Sequence, residues 1–131
     1  MPVDEQSTSA ATDGTEATTR TVIDRLHVAL NAHDLDAVRD ILTEDCVFES
    51  TSPPVGERHV GPDAVCHAWA EIAQPHSAAR FDIEELIVAG DRAIVRWHYH
   101  WGPGPHAHVR GVDILEVRDG KISESLAYVK G

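Results

Sequence analysis

The residue whose type and neighbours best suit acid–base chemistry is Asp113. It lies between His108 and Val117, where side chains alternate as in a half-buried strand. Alternation puts it on the same face as Val109 and Leu115, so its carboxyl is expected to point into an apolar interior. Burial disfavours the carboxylate and raises its pKa, by as much as ~3–5 units. Such a carboxyl can act as a general acid or base, or can donate a hydrogen bond to an oxyanion.

Tyr99 is the second candidate for chemistry, as a phenol donor to a ligand carbonyl. It lies in the predicted strand Ala93–Trp101. One face of that strand carries Val95, Trp97, Tyr99 and Trp101 and is expected to face the interior; the other carries Ile94, Arg96, His98 and His100. A buried core tyrosine without a role in chemistry is the alternative.

Aromatic residues elsewhere in the chain are expected to complete the wall of a pocket for a flat apolar ligand. Phe48 and Trp69 join Val95, Trp97 and Leu115 in this predicted wall. On the first helix, His27 is a predicted ligand contact at the pocket mouth, with a solvent-exposed helix position as the alternative.

Four histidines flank the turn at 102–105. A hairpin centred on Pro103 would pair His100 with His106 and His98 with His108, all on the outer face of the sheet. Such imidazoles are able to bind a transition metal, but no buried carboxylate or cysteine accompanies them. We therefore predict no metal, and expect solvated histidines or histidines in an interface.

Three helices are predicted in the first part of the chain. Thr21 begins the first, over 21–32, with a capping-box-like pattern. Asp34 caps the second, and the third begins at Pro62 and ends at Gln74-Pro75. The apolar face of the second helix is predicted to be Leu35, Val38, Ile41 and Leu42.

The rest of the chain is predicted to form strands joined by turns. Because three helices precede a strand meander, we predict an α+β fold with the helices on one face of the sheet. Asp119-Gly120 is a strong hairpin signal, and Thr51–Val60 is predicted to be a loop. The predicted strands are Cys46–Ser50, Phe81–Val88, Ala93–Trp101, His106–Val117 and Ile122–Val129.

Composition narrows the choice of partners. The 131 residues carry a net charge of −11, which disfavours binding to nucleic acid or to anionic membranes. Residues 1–20 are acidic and rich in Ser and Thr, so we predict a disordered tail and a folded domain over 21–131. No secretory signal or membrane span is evident, and Cys46 and Cys66 are expected to be buried free thiols, so we predict a cytoplasmic protein.

Four runs of sequence together resemble the SnoaL-like branch of the nuclear-transport-factor-2-like superfamily. They are Ala29–Asp36, Gly61–Val65, Gly90–Trp97 and Gly111–Ile122. The resemblance implies three helices on a strongly curved antiparallel sheet, a cone-shaped barrel with one pocket. It also implies a homodimer formed through the sheet face, a small apolar organic ligand and no cofactor.

The catalytic residues of this superfamily are only partly matched. Asp113 falls where ketosteroid isomerases place a protonated oxyanion-hole Asp, but their base falls at Ser50 and their tyrosine at Leu26. The last-strand Asp of SnoaL-like cyclases and limonene-type hydrolases falls at about Ala127. Ser50 and Ala127 are therefore predicted ligand contacts only.

The resemblance implies an isomerase- or cyclase-like enzyme. The expected reaction is proton transfer, isomerisation, cyclisation or hydration of an apolar ketone or polyketide-like metabolite, with Asp113 as acid–base group or oxyanion donor. Two alternatives stay open because shared fold does not fix function. One is a small-ligand-binding module without catalysis, and the other is a dimeric interaction domain with a vestigial pocket.

Overall fold

The computed structural model describes residues 2–73 and 78–130. Within those ranges the chain forms three helices and six strands, which confirms the predicted α+β class. The elements are α1 (Pro2–Asn31), α2 (Leu35–Asp40), β1 (Leu42–Glu49), β2 (Arg58–Val60), α3 (Pro62–Ala73), β3 (Arg80–Ala89), β4 (Arg92–His100), β5 (His108–Arg118) and β6 (Lys121–Val129).

The strands form one open, mixed sheet in the order β2-β1-β6-β5-β4-β3. The prediction of a strongly curved antiparallel sheet in the form of a cone-shaped barrel is wrong in two respects. Strands β2 and β3 lie at the two ends and each pairs with one neighbour, and β1 runs parallel to β6, with Phe48 opposite Ser125. The parallel pair joins distant parts of the chain, so no local pattern reveals its direction.

Helix α1 begins earlier than the sequence predicts. The predicted domain starts near Thr21, after a tail, whereas α1 spans Pro2–Asn31. Thr19 is buried and donates a hydrogen bond to the Gly90 carbonyl (2.8 Å), and a Glu16 carboxylate oxygen accepts from the Gly90 N–H (3.1 Å). Ordered contacts therefore extend back to Glu16, because the β3–β4 turn offers partners that local composition cannot reveal.

The second helix is capped as predicted but ends sooner. Asp34 Oδ1 accepts a hydrogen bond from the Ala37 N–H at 3.1 Å. The predicted helical face extends to Leu42, but that residue begins β1, where it lies opposite Ile122 of β6. Pairing with a distant strand thus overrides the helical spacing of these apolar residues.

The region around the third helix matches the prediction in part. The helix α3 begins at Pro62 as predicted, while its predicted end at Gln74-Pro75 lies outside the described residues. The predicted loop Thr51–Val60 contains the short strand β2, whose Val60 pairs with Val47 of β1.

The four later strands agree with the prediction to within two residues at each end. Val95, Trp97 and Tyr99 are at most 6% exposed, which confirms the predicted inner face of β4. Asp119 and Gly120 have φ values of 54° and 75°, as the predicted tight hairpin requires. The strands β3 and β4 shift register between Ile83 and Glu85.

The core lies between the inner face of the sheet and helices α1 and α3. Its most buried members come from both layers: Ile23, Leu26, Val65, Val95, Leu115 and Ile122. Cys46 and Cys66 are buried free thiols, and burial raises the pKa of both. Across residues 2–73 and 78–130, no helix is long and apolar enough to cross a membrane.

The histidine hairpin has a register different from the predicted one. His100 lies opposite His108 and His98 opposite Arg110, while His106 lies in the loop. The loop is longer than predicted and is closed by the hydrogen bond from Trp101 N–H to the Ala107 carbonyl (2.9 Å).

The imidazoles of this hairpin contact one another and one acidic residue. His98 Nε2 is 2.9 Å from His108 Nδ1, and His100 Nε2 is 2.7 Å from Asp82 Oδ2. In the described part of the chain, no group of three or more His, Cys, Asp or Glu side chains is arranged to hold a metal ion. Dimerisation through this outer face stays a prediction.

Candidate functional site

A narrow cavity of about 50 Å³ lies between α1, α3 and the inner face of the sheet. Its wall is largely apolar and aromatic, and Asp113 carries the one carboxyl group among the described residues that line it. The wider depressions between α1 and α2 and on the outer sheet face do not include Asp113. The lining residues are Leu26, His27, Leu30, Asn31, His33, Trp69, Ile72, Ala79, Phe81, Tyr99 and Asp113.

Asp113 enters the cavity from the middle of the sheet. It lies on β5 between Val95 of β4 and Ala127 of β6. Its side chain keeps partial exposure through the cavity but is otherwise surrounded by protein. This burial raises the pKa of Asp113 from 3.8 to about 7, and a polar interaction with the Trp97 indole lowers the pKa to a smaller extent. The carboxyl group therefore exchanges a proton near neutral pH.

Two buried donors lie on the strand next to Asp113. Tyr99 Oη and Trp97 Nε1 are both buried, and neither has a partner within full hydrogen-bond geometry among the described residues. The Trp97 indole interacts with the Asp113 carboxyl, but not with the alignment and distance of a formed hydrogen bond. Burial raises the pKa of Tyr99, so its hydroxyl stays protonated. A buried donor without an acceptor is costly, and a ligand oxygen would relieve that cost.

His27 is more deeply buried than either predicted location, the cavity mouth or the exposed surface of the helix, would allow. Its side chain is 5% exposed, and its ring makes an edge contact with Phe81 at a centroid distance of 6.3 Å. His27 Nδ1 lies 3.0 Å from the Ile23 carbonyl oxygen, one helical turn earlier. Burial lowers the pKa of His27, with smaller opposing effects from the Ile23 carbonyl and Asp24, so the ring is neutral near pH 7.

The structure brings four of the ten predicted site residues to the cavity wall: Asp113, Tyr99, Trp69 and His27. Four others belong to the buried core and do not line it: Phe48, Val95, Trp97 and Leu115. Phe48 packs against Trp69 at a centroid distance of 5.3 Å, so it supports the wall from behind.

The two ligand contacts predicted from family positions do not line the cavity. Ser50 lies in the loop after β1, where its hydroxyl oxygen accepts from the Glu57 N–H at 2.9 Å. Ala127 pairs with Asp113 through the backbone and packs against the core. Direct contact of these two residues with a ligand therefore stays a prediction, and of the two only Ala127 lies beside the cavity, directly opposite Asp113 in the sheet.

On the α1 side of the cavity, sequence reasoning identified His27 alone. The α1 residues Leu26, His27, Leu30 and Asn31 are spaced by three and four positions, which places them on one helix face. The same spacing is present in the sequence, but the polar residues His27 and Asn31 on this face suggest contact with solvent rather than with the interior. Phe81, at the start of β3, closes the same side.

Asn31 joins the cavity face of α1 to the edge strand β3. Its amide Nδ2 donates to the Phe81 carbonyl (2.9 Å), and its Oδ1 accepts from the Phe81 N–H (2.8 Å). The side chain thus imitates a neighbouring strand and satisfies both backbone groups of one edge residue. This pair of bonds fixes the distance between the two walls.

Replacing Asn31 with alanine is expected to lower the free energy of unfolding by about 1–2 kcal/mol, because two part-buried backbone groups lose their partner. Urea denaturation followed by tryptophan fluorescence measures the loss. Asn31→Asp keeps the acceptor and removes the donor, so its loss should be intermediate at neutral pH. An alanine variant as stable as the original protein would show that water replaces both bonds without cost.

Comparison with known proteins identifies a matching family and several solved structures that are similar to this chain. The family model described as a SnoaL-like domain matches residues 23–125. No curated protein matches the chain. An NTF2-like protein of unknown function from Mesorhizobium loti is 41% identical, over 88% of this chain and 93% of that chain, with a TM-score of 0.79.

Two further solved structures carry proposed activities. A proposed polyketide cyclase from Sinorhizobium meliloti is 25% identical, over 82% of this chain and 93% of that chain, with a TM-score of 0.70. A proposed ketosteroid isomerase from Kribbella flavida DSM 17836 is 23% identical, over 88% and 80% of the two chains, with a TM-score of 0.77, and it supports the fold alone.

Proposed function

The chain belongs to the SnoaL-like domain family, and on that premise we propose that it catalyses proton transfer next to the carbonyl group of a small apolar ketone-like metabolite. Isomerisation and cyclisation of such compounds both begin with this step. The enzyme would need no cofactor, because the carbonyl group of the substrate itself delocalises the charge that is formed.

The observation that carries the proposal is the Asp113 carboxyl in an apolar cavity, with a pKa of about 7. Below that pH the group is neutral and donates a hydrogen bond, and above it the group accepts a proton. An acid–base catalyst works best when its pKa lies close to the working pH, because both forms are then populated.

Tyr99 supports the same reaction as a donor to the substrate oxygen. Loss of a proton next to a carbonyl places negative charge on that oxygen. The Tyr99 hydroxyl and the protonated Asp113 are suited to stabilise this charge, because both line the cavity and the Tyr99 ring packs against Phe81 at a centroid distance of 4.4 Å. Donors that need no reorganisation stabilise an oxyanion most effectively.

One neighbouring structure agrees with this reaction class. The proposed polyketide cyclase from Sinorhizobium meliloti belongs to a class whose chemistry passes through an enolate or enol. The cavity of about 50 Å³ admits only the smallest ligands unless its wall moves. Among the wall residues on α3, Trp69 is half-buried and Ile72 is exposed, so a ligand could displace their side chains more readily than those of the core.

The test is deuterium incorporation at the carbon next to the carbonyl, followed by proton NMR in D2O near pH 6.5. Cyclohexanone and 3-cyclohexen-1-one serve as probes, and the second also reports migration of the double bond. We expect exchange above the uncatalysed rate, and a loss of roughly 10²–10⁴-fold in Asp113→Leu. Asp113→Asn keeps a donor, so partial activity there would favour an oxyanion role over proton transfer.

Glu116→Gln is the matched control, because Glu116 lies on the same strand but contacts Arg92 (3.4 Å) and Ser123 (2.8 Å) instead of the cavity, and glutamine keeps an acceptor for the Ser123 hydroxyl. It should exchange at the original rate. If neither ketone exchanges above background, or if Asp113→Leu is fully active, the catalytic proposal fails. Thermal stabilisation by the ketones without exchange would instead support a binding module.

A further inference from the structure

The hydrogen bond that holds His27 also fixes its tautomer. Its Nδ1 faces the Ile23 carbonyl oxygen at 3.0 Å, and a carbonyl oxygen only accepts hydrogen bonds. The proton of the neutral ring must therefore lie on Nδ1. Nε2 is left with a lone pair, which is the form of imidazole that accepts a proton.

The lone pair of His27 is not used within the protein. The ring makes the Nδ1 hydrogen bond to Ile23 and the edge contact with Phe81, and the charge of Asp24 acts on it electrostatically. In the described part of the chain, Nε2 thus has no hydrogen-bond partner, although the residue is 5% exposed and lines the cavity. An imidazole nitrogen that carries a lone pair, lines a cavity through its ring and has no partner in the described protein is suited to receive a proton from a ligand.

The cavity contains both kinds of group that enolisation needs, on opposite walls. His27 belongs to α1, while Asp113 and Tyr99 belong to the sheet. A carbonyl compound lying between them with its oxygen toward the sheet would present the neighbouring carbon to α1. Base and oxyanion donors would then act on the same substrate from two sides.

The charges of the cavity wall define the class of substrate. Among the described lining residues there is no lysine or arginine. His27 is neutral, and the Asp113 carboxyl is neutral or negative. An anionic substrate would lose its hydration and meet no lysine or arginine, so the wall favours a neutral molecule.

From this arrangement we propose that His27 Nε2 is the base that removes a proton from the carbon next to the carbonyl of a neutral substrate. The inference rests on the proposed function. The C–H bond breaks, its proton moves to Nε2, and its electron pair forms a C=C bond. The carbonyl oxygen takes up the charge and accepts a hydrogen bond from Asp113 and Tyr99. Return of the proton to a different carbon completes an isomerisation, and no other reactant is consumed.

The first test uses the deuterium-exchange assay with His27→Gln and His27→Ala. We expect exchange to fall by roughly 10²–10³-fold in both. Added imidazole should restore part of the rate in His27→Ala, in proportion to its neutral fraction, because a free base then occupies the vacated space. Far-UV circular dichroism of each variant checks that the fold persists. Exchange at the original rate in folded His27→Gln overturns the role of His27 but leaves the function of Asp113 standing.

A second readout does not depend on activity. Long-range ¹⁵N–¹H correlation spectra of the imidazole should show His27 neutral at pH 6.5 with its proton on Nδ1. A ring protonated on Nε2, or charged at that pH, overturns the inference even if the enzyme is active.

Methyl levulinate and levulinate test the substrate class, because they differ mainly in charge. We expect catalysed exchange for the ester and at least tenfold slower exchange for the anion. Equal rates for the two would refute a cavity that selects neutral substrates.

Discussion

Replacing Asp113 with asparagine is expected to stabilise the protein more at pH 8 than at pH 5.5, by about 2 kcal/mol. In the folded state the pKa of Asp113 is about 7, against 3.8 when the group is free in water. Between these values the folded protein keeps a proton that the unfolded chain has lost. The free energy of unfolding therefore falls as the pH rises from about 4 to about 7. The Asp113→Asn protein does not lose this stability, because asparagine does not ionise.

Urea denaturation at the two pH values measures the difference, with tryptophan fluorescence as the signal. The stability difference between the two proteins is compared at both pH values, because any change in stability that the asparagine amide causes at every pH then cancels. The Glu116→Gln control should show no comparable gain. If the Asp113→Asn and original proteins keep the same stability difference at both pH values, the carboxyl does not have a raised pKa.

Replacing Gly111 with alanine is expected to destabilise the protein by about 1–3 kcal/mol. A methyl group at Gly111 would come within 2.7 Å of Cη2 of Trp97 and still closer to the Tyr128 carbonyl oxygen. The second contact is with the backbone of β6, so the strand itself would have to move. The first would push the indole that interacts with Asp113, so the near-UV circular dichroism should change as well.

Gly104→Ala is the control for Gly111→Ala. Gly104 lies in the exposed β4–β5 loop, and a methyl group there would meet no atom within 4 Å. Its stability should stay within about 0.5 kcal/mol of the original. A Gly111→Ala protein with unchanged stability and an unchanged tryptophan signal would show that β5 and β6 adjust freely at this point.

Local patterns predict much of the sheet and its inward residues. Strict alternation in β4 and β5 placed Val95, Tyr99 and Asp113 on one face, since a strand has no other way to arrange successive side chains. The Asp119-Gly120 turn was equally clear, because few sequences tolerate two consecutive positive φ values.

Features that depend on distant pairing could not be predicted in this way. The parallel contact of β1 with β6 and the three-residue strand β2 leave no periodic signal. His27 was placed too close to the surface because a polar residue on a helix suggests solvent. Its burial depends on Phe81, which lies more than fifty positions later and closes over the ring.

The open sheet has a consequence for how the protein behaves when concentrated. An uncovered strand edge is a template for another chain, and long flat edges lead to aggregation. One edge here, β2, has three residues, and the other, β3, has an irregular register between Ile83 and Glu85. Arg80, Asp82 and Glu84 place a charged side chain at every second position along the first half of that strand. Neither edge strand is both long and uncharged, as pairing with a strand of a second molecule requires. We therefore expect the short β2 and the irregular, charged β3 to disfavour fibril formation.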